Sequence, residues 1–237
     1  MTVGVNPVEL HHQHRDVSGG WLRAAVFGAM DGLVSNGALI AGMIGGGATG
    51  STVTLAALAG LTAGASSMAA GEYTSVASQS EAARAEIEVE RREIARHPEE
   101  EKAELAEMYA SRGVDPELAR QVAEQIHRDD AVALRIHVLE ELGVDAEDLP
   151  SPWVAAGSSF AAFAVGALIP VLPLLLGAAS VLPVVLVTLG ALFATGAVVT
   201  VLTGRSPWFG GTRQLLLGVL AALFAFGVGH LFGVGVS

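Results

Sequence analysis

The sequence predicts an all-α integral membrane protein in which five transmembrane helices carry a polar three-helix domain on one side of the bilayer. Three observations point there. The chain is 51% hydrophobic with only 5% aromatic residues, and its mean hydropathy is +0.52, values that suit lipid better than water. Its apolar stretches have the length of bilayer crossings. Its charge is confined to one block: residues 80–150 hold twenty Asp or Glu and nine Lys or Arg, which accounts for the whole net charge of −11, while four acids and four bases elsewhere cancel.

Residues 1–20 form a polar arm containing His11, His12, Gln13, His14, Arg15 and Asp16. They lack the apolar run of a cleavable signal peptide, so the arm is expected to stay cytoplasmic. Trp21 to Ile44 is almost wholly apolar or small, enough at about 1.5 Å per residue to cross a hydrocarbon core of about 30 Å. After the Gly47-Ala48-Thr49-Gly50 turn, Ser51 to Gln79 makes a second span that completes the membrane segment 21–79 and runs into the charged block without Gly or Pro. Beyond the block, in residues 151–237, the apolar stretch from Trp153 to Leu202 is too long for one crossing. It is interrupted at Gly177-Ala178-Ala179-Ser180 and Pro183, so it reads as a hairpin of two spans. A connector from Arg205 to Arg213 leads to a last span, Gln214 to Val236.

With the N-terminus inside, the arm, the block and the connector are cytoplasmic and hold all thirteen Lys and Arg. The opposite segments, 45–50, 177–182 and 233–237, carry no charge, in agreement with the positive-inside rule. Within the block, Ser80 to His97, Glu99 to Arg112 and Asp115 to Leu142 read as helices. Pro98 and Pro116 stand at first-turn positions, Gly113 and Gly143 at C-terminal caps, and Asp115 at an N-cap.

The absence of cysteine excludes disulfides, zinc–thiolate sites, iron–sulfur clusters and thiol nucleophiles. No GxxxxGK[ST] or GxGxxG phosphate loop and no HExxH is present, which argues against an ATP-driven pump. No nucleic-acid partner is expected. What remains is carboxylate, imidazole, thioether and backbone oxygen.

Asp31 in the first span and Glu72 in the second are acids at membrane depth, where an ionised group is costly and normally faces a pathway or a partner. Asp31 lies roughly 12 Å beyond Arg23 along a helix. Ser35 is one turn from Asp31, Asn36 follows, and Met68 is one turn from Glu72. Met68 reads either as a soft ligand beside hard carboxylates, a mixture suited to Fe²⁺ or Mn²⁺, or as core packing. The spacings Gly28-xxx-Gly32, Gly42-xxx-Gly46 and Gly60-xxx-Gly64 allow close helix approach, within one subunit or between two.

Within the polar block, Glu86, Glu90, Glu93 and His97 form one helical stripe, Glu101, Glu104 and Met108 another, and His137, Glu140 and Glu141 cluster near the end of the third helix. A single acidic stripe is ordinarily a solvated face. Three on consecutive short helices beside a membrane acid point to divalent metal, because like charges at this spacing repel unless a cation neutralises them.

Asp31-Gly32-Leu33-Val34-Ser35-Asn36, followed by Ser67-Met68-Ala69-Ala70-Gly71-Glu72-Tyr73, resembles the vacuolar iron transporter family in its bacterial branch. The likeness continues through Glu90-Arg91-Arg92-Glu93, His97-Pro98-Glu99-Glu100-Glu101 and Glu140-Glu141-Leu142-Gly143 and covers nearly all of the chain from Gly19 onward. The resemblance implies a homodimer with five spans per subunit in the cell (inner) membrane, with the C-terminus external and a path between subunits lined mainly by the first span. It implies export of Fe²⁺, with Mn²⁺ as a close variant, coupled to proton influx. By motif, Asp31 and Met68 form the transport site, and Glu90, Glu93, Glu101, Glu104 and Glu141 bind metal in the cytoplasmic domain. Two departures stand out. Ser35-Asn36-Gly37 occupies the place of a proline and phenylalanine in eukaryotic members, and Glu140 is expected where some relatives carry a methionine ligand.

The alternative readings are a membrane-anchored ferroxidase or iron store, and a metal sensor that binds without transporting. The block lacks the paired Glu-x-x-His motifs of di-iron bundles, offering instead the reversed His127-x-x-Asp130 and His137-x-x-Glu140.

Overall fold

The computed structural model describes residues 20–178, 180–202 and 204–233. The polar arm with His11, His12 and His14, and most of the expected external tail, lie outside them. In chain order the elements are α1 (Gly20–Gly45), α2 (Gly50–Arg96), α3 (Pro98–Ser111), α4 (Pro116–Ile126) and α5 (Asp130–His137), which runs on into a π-helical turn (Val138–Leu142). They are followed by α6 (Pro152–Leu175), α7 (Leu182–Leu202) and α8 (Pro207–Gly233). Among the described residues, α1, α2, α6, α7 and α8 are the five helices long and apolar enough to cross a membrane.

Two features depart from the elements expected from sequence, while the expected run of the second span into the charged block is met. The second span and the first polar helix are one helix of 47 residues, about 70 Å long at 1.5 Å per residue; nothing between Gly71 and Pro98 interrupts its backbone bonding. The single helix expected from Asp115 to Leu142 is broken at residues 127–129. There His127 closes α4, and the extended Asp129 starts α5 by accepting from the backbone N–H groups of Ala131 (2.9 Å) and Val132 (3.3 Å). A strong N-cap thus overrides the helical periodicity on either side. The last span begins at Pro207, so Arg213 rides on α8 rather than in a connector. The other caps fall where expected. Asp115 accepts from Glu117 and Leu118, and Gly113 and Gly143 take left-handed φ values of 95° and 66° that side chains resist.

In the membrane part, α1 is the central helix, packed along α6 on one side and α8 on another. The contact is backbone to backbone. A Cβ at Gly28 would stand 2.8 Å from the Ser159 carbonyl oxygen, and one at Gly32 or Gly166 would collide with the main chain of Phe163 or Ala29. Towards the other end, Gly42 and Gly229 meet in the same way between α1 and α8, while Gly60 and Gly64 of α2 receive Leu39 and the Phe163 ring. All three small-residue spacings are therefore used inside the subunit, where close approach adds dispersion contact in lipid. Large apolar side chains such as Leu176 and Phe224 point outward, 85% and 77% exposed, as a lipid-facing surface requires.

The polar end is a bundle of the second half of α2 with α3, α4, α5 and the π turn, centred on Leu105, Ala106, Ala119 and Ala123. It is pinned to the membrane part where the chain returns. The Ser80 hydroxyl donates to the Pro150 carbonyl at 2.9 Å, and the Tyr73 and Trp153 rings lie 4.7 Å apart.

Gly32→Val should lower the stability of the detergent-solubilised protein by about 1–3 kcal/mol or abolish folding, as overpacking does. Gly157→Ala, where an added Cβ meets nothing within 4 Å, should leave it unchanged. Thermal unfolding of both variants checks this, and equal melting temperatures would show that the α1–α6 approach is not close.

Candidate metal centre and membrane cavity

Four side chains converge at the polar end. Glu90 comes from α2, Glu101 from α3, His137 from the last turn of α5 and Glu141 from the π turn, and one ligand atom from each lies within 4.8 Å of all the others. The His137 side chain is wholly buried. Its Nδ1 is 2.9 Å from Glu141 Oε1, 3.0 Å from Glu90 Oε1 and 3.6 Å from Glu101 Oε2.

Hydrogen-bond accounting shows why this grouping is unusual. One Nδ1–H cannot serve three carboxylates. Nδ1 meets Glu141 in hydrogen-bond geometry, with the tautomer setting which of the two donates, and Glu90 Oε1 is buried with no hydrogen-bond partner. A buried carboxylate oxygen without a partner is destabilising. Burial, followed by the charges of Glu141 and Glu101, a hydrogen bond with Glu101 and the charge of Glu104, pushes the Glu90 carboxyl up to about 7. Burial is also the first cause of the upward shift at Glu101, where His137 opposes it and Glu104 and Glu141 add to it. Three carboxylates and an imidazole in excess of the available protons form a donor set for a divalent cation of the Fe²⁺ or Mn²⁺ kind.

The other sequence-selected residues lie outside this cluster. Glu104 is exposed and contributes through its charge. Glu140 turns the other way, into an ion pair with Arg112, where it also helps raise the Tyr109 hydroxyl after burial. The residues that the end of the third helix brings to the cluster are thus His137 and Glu141. Glu93 faces His97 at 3.8 Å on the surface, and His97 faces Glu100 at the same distance. Glu86 is exposed, and Met108 packs against the apolar centre of the bundle.

The sequence reading did not select His127. It stands edge-on to His137, ring centroids 5.1 Å apart, and burial pulls it below the usual histidine range. The available signal was Glu124-x-x-His127, one forward Glu-x-x-His in a block from which only the reversed motifs were read.

In the membrane part, Asp31, Ser35, Asn36 and Leu39 of α1, Ser67 and Met68 of α2, and Phe163 of α6 line an open cavity of about 270 Å³. Asn36 is 2% exposed. Its Nδ2 donates to the Ala167 carbonyl at 2.8 Å, near Pro170, and its Oδ1 is buried without a donor. Asp31, Ser35, Asn36 and Met68 therefore share one cavity that offers carboxylate, hydroxyl, amide oxygen and thioether. Glu72 stays outside it, buried and paired with Arg23 at 2.9 Å. A larger cavity of about 370 Å³ among α1, α7 and α8 is lined by apolar side chains and Thr188 and has no comparable donor set.

A helical membrane protein whose second span carries a polar cavity at one level and a carboxylate–histidine cluster beyond it is the class that these features define. Residues 22–230 match the sequence model of the VIT family, and the chain belongs to that family. It is 38% identical to the vacuolar iron transporter of Acanthamoeba castellanii over 237 residues, covering 99% of this chain and 85% of the relative. It is 31% identical to vacuolar iron transporter 2 of Oryza sativa, covering 92% and 90%, and 31% identical to vacuolar iron transporter 1 of Arabidopsis thaliana, covering 91% and 88%. Family membership places the protein among transporters rather than enzymes, so the ferroxidase reading falls away.

The raised Glu90 carboxyl sets a pH dependence. Its pKa moves from an ordinary 4.5 to about 7 on folding, so the folded state holds a proton that the unfolded state has lost. This contribution to stability is complete below about pH 4.5 and is lost as the pH rises through about 7. Without metal, melting temperature should therefore fall between pH 5 and pH 8, and Glu90→Gln should flatten the fall. Added Mn²⁺ should raise the melting temperature more at pH 8 than at pH 6, because protons compete for the same oxygens. An unaltered pH profile in Glu90→Gln would contradict the assignment.

Proposed function

We propose that the protein moves Fe²⁺ out of the cytosol across the membrane in exchange for protons, with Mn²⁺ as an alternative substrate, and that it does so as a homodimer. The observation that carries this reading is the convergence of Glu90, Glu101, His137 and Glu141 on one point with more acceptors than donors. The relatives named as vacuolar iron transporters, aligned over nearly their whole length, support iron as the cargo. Oxygen-rich sites with one imidazole discriminate weakly between Fe²⁺ and Mn²⁺.

In this reading all bases lie on the cytoplasmic side, which puts the polar bundle there as the capture site. Glu104 adds negative potential near the cluster, and Glu93 and His97 present a further acidic surface to an approaching cation. Metal then passes to the cavity of Asp31 and Met68. Both ends ride on α2, where Met68 and Glu90 are separated by roughly 33 Å of continuous helix. The Arg23–Glu72 pair lies between them on the way. A carboxylate binds either metal or proton, and occupancy by one excludes the other, so Asp31 is suited to exchange the two during alternating access. The cavity is open on the side of Ser35 and Leu39, where a second copy would close it.

Reconstituted into liposomes with an imposed pH gradient under anaerobic conditions, the protein should transport Fe²⁺ in proportion to the gradient. Asp31→Asn should reduce that flux to background. Glu101→Gln combined with Glu104→Gln should weaken apparent affinity about tenfold or more while leaving measurable turnover. Full activity in all variants would defeat the scheme, and binding without flux in the wild-type protein would favour a sensor.

A further inference from the structure

Among the described residues of the membrane part, two buried side-chain oxygens have no hydrogen-bond partner, Ser159 Oγ and Asn36 Oδ1. Asn36 is the one of the pair that lines the cavity of Asp31 and Met68. Its orientation can be assigned. The Ala167 carbonyl, 2.8 Å from the end of the side chain, only accepts, so the atom facing it is the amide nitrogen and the oxygen faces away. On that other side stands Gly60 of α2. A Cβ added there would lie 3.1 Å from Asn36 Oδ1 and 2.5 Å from Leu39 Cδ2. The oxygen therefore points across the gap between α1 and α2 at a residue without a side chain, with the end of Leu39 beside it. Gly60 and Leu39 both line the same cavity.

An amide that only tied α1 to α6 would need the Nδ2 bond and nothing more. The oxygen is left over. It is buried at a cost, and native interiors seldom keep such an atom without a use for it. The hydroxyls of Ser35 and Ser67 share the cavity, yet neither bonds to it. Asp31 likewise makes no hydrogen bond or ion pair with another described residue. A carboxylate and an amide oxygen, both without partners, thus sit with a thioether around one space. The amide differs from the carboxylate in that it takes no proton where a carboxylate does, so it favours metal over proton. It differs from the Met68 sulfur in hardness, and hard oxygen suits Fe²⁺ and Mn²⁺ while soft sulfur draws Zn²⁺.

We infer that Asn36 is a specificity-determining ligand of the membrane site. The bond to Ala167 holds the carboxamide so that Oδ1 meets the cation beside Asp31 and Met68 when the flexible end of Leu39 moves off Gly60. The inference rests on this cavity being the transport site, and the experiment separates the two claims. Fe²⁺ flux into proteoliposomes is measured anaerobically against Fe²⁺ concentration, with Zn²⁺ as competitor. The full-length protein is compared with Asn36→Leu, Asn36→Asp, Gly60→Ala and Asp31→Asn. Asn36→Leu removes both polar atoms at similar size. Asn36→Asp keeps an oxygen and loses the donor to Ala167, whereas Gly60→Ala leaves that bond intact and crowds Oδ1.

Asn36→Leu and Gly60→Ala should raise the KM for Fe²⁺ about tenfold or more. The half-inhibiting Zn²⁺ concentration should rise less, so discrimination moves towards Zn²⁺. Asn36→Asp should keep the discrimination of the wild type. Melting curves confirm that each variant is folded; if Asn36→Leu is not, Gly60→Ala and Asn36→Asp decide. The inference is overturned if Asp31→Asn abolishes flux while Asn36→Leu and Gly60→Ala keep the wild-type KM and discrimination. It is also overturned if Asn36→Leu and Asn36→Asp lose flux equally with discrimination unchanged, which would assign Asn36 to the α1–α6 contact alone. If Asp31→Asn transports like wild type, the transport-site reading itself fails.

Discussion

The organising constraint is that three carboxylates surround a fully buried imidazole which can give them only one Nδ1–H. Protein interiors rarely leave acceptors unmatched, and this one is assembled from three separate stretches of chain, α2, α3 and α5 with its π turn. Much of the polar end is explained by that convergence. The uninterrupted α2 brings Glu90 in on the same rod that crosses the membrane. Pro98 reverses the chain immediately after α2 ends, so that Glu101 on the first turn of α3 meets Glu90. The break at Asp129 redirects α5 so that His137 points inward, and the widened π turn places Glu141 beside it. π turns inside helices are frequent at functional sites, and here the turn separates Glu141, which joins the cluster, from Glu140, which pairs with Arg112.

The membrane part follows a complementary rule. Helices in lipid gain little from apolar contact alone and associate through close packing of small residues. On α1 these residues, Gly28, Gly32 and Gly42, are committed to α6 and α8. The face of α1 towards α2 is looser, and there Asp31, Ser35 and Asn36 meet Met68 across an open cavity. Rigid contact on two sides and a polar gap on the third is an arrangement in which a cation can be approached without disturbing the scaffold. The Ser80–Pro150 bond and the Tyr73–Trp153 contact tie the polar bundle to this scaffold at the foot of α6, so movement of the bundle and of α2 would be coupled.

Much of this was legible in the chain. Composition and charge segregation identified the spans and the polar block, and the caps at Asp115, Gly113 and Gly143 followed from local backbone chemistry. Local rules did less well where two of them competed. The helical pattern from Asp115 to Leu142 hid the Asp129 cap, and Pro207 was read as part of a connector although proline is a good first residue of a helix. Stripe counting found the acidic faces but could not say which member of each stripe turns inward. Glu90 meets its partners while Glu86 and Glu93 do not, because the inward direction is fixed by how α3 and α5 cross α2. Glu140 and Glu141 are neighbours in sequence with opposite fates for the same reason. The histidine pair was invisible because His127 and His137 lie ten residues apart on different helices, and only the break between them brings the rings together.

Anomalous diffraction at the manganese absorption edge, from crystals of the protein grown with Mn²⁺, tests the central claim most directly. A peak is expected within coordination distance of Glu90, Glu101, Glu141 and His137 Nδ1. A peak confined to the outer acidic surface of Glu93, His97 and Glu100, or no peak in the polar bundle, would contradict it.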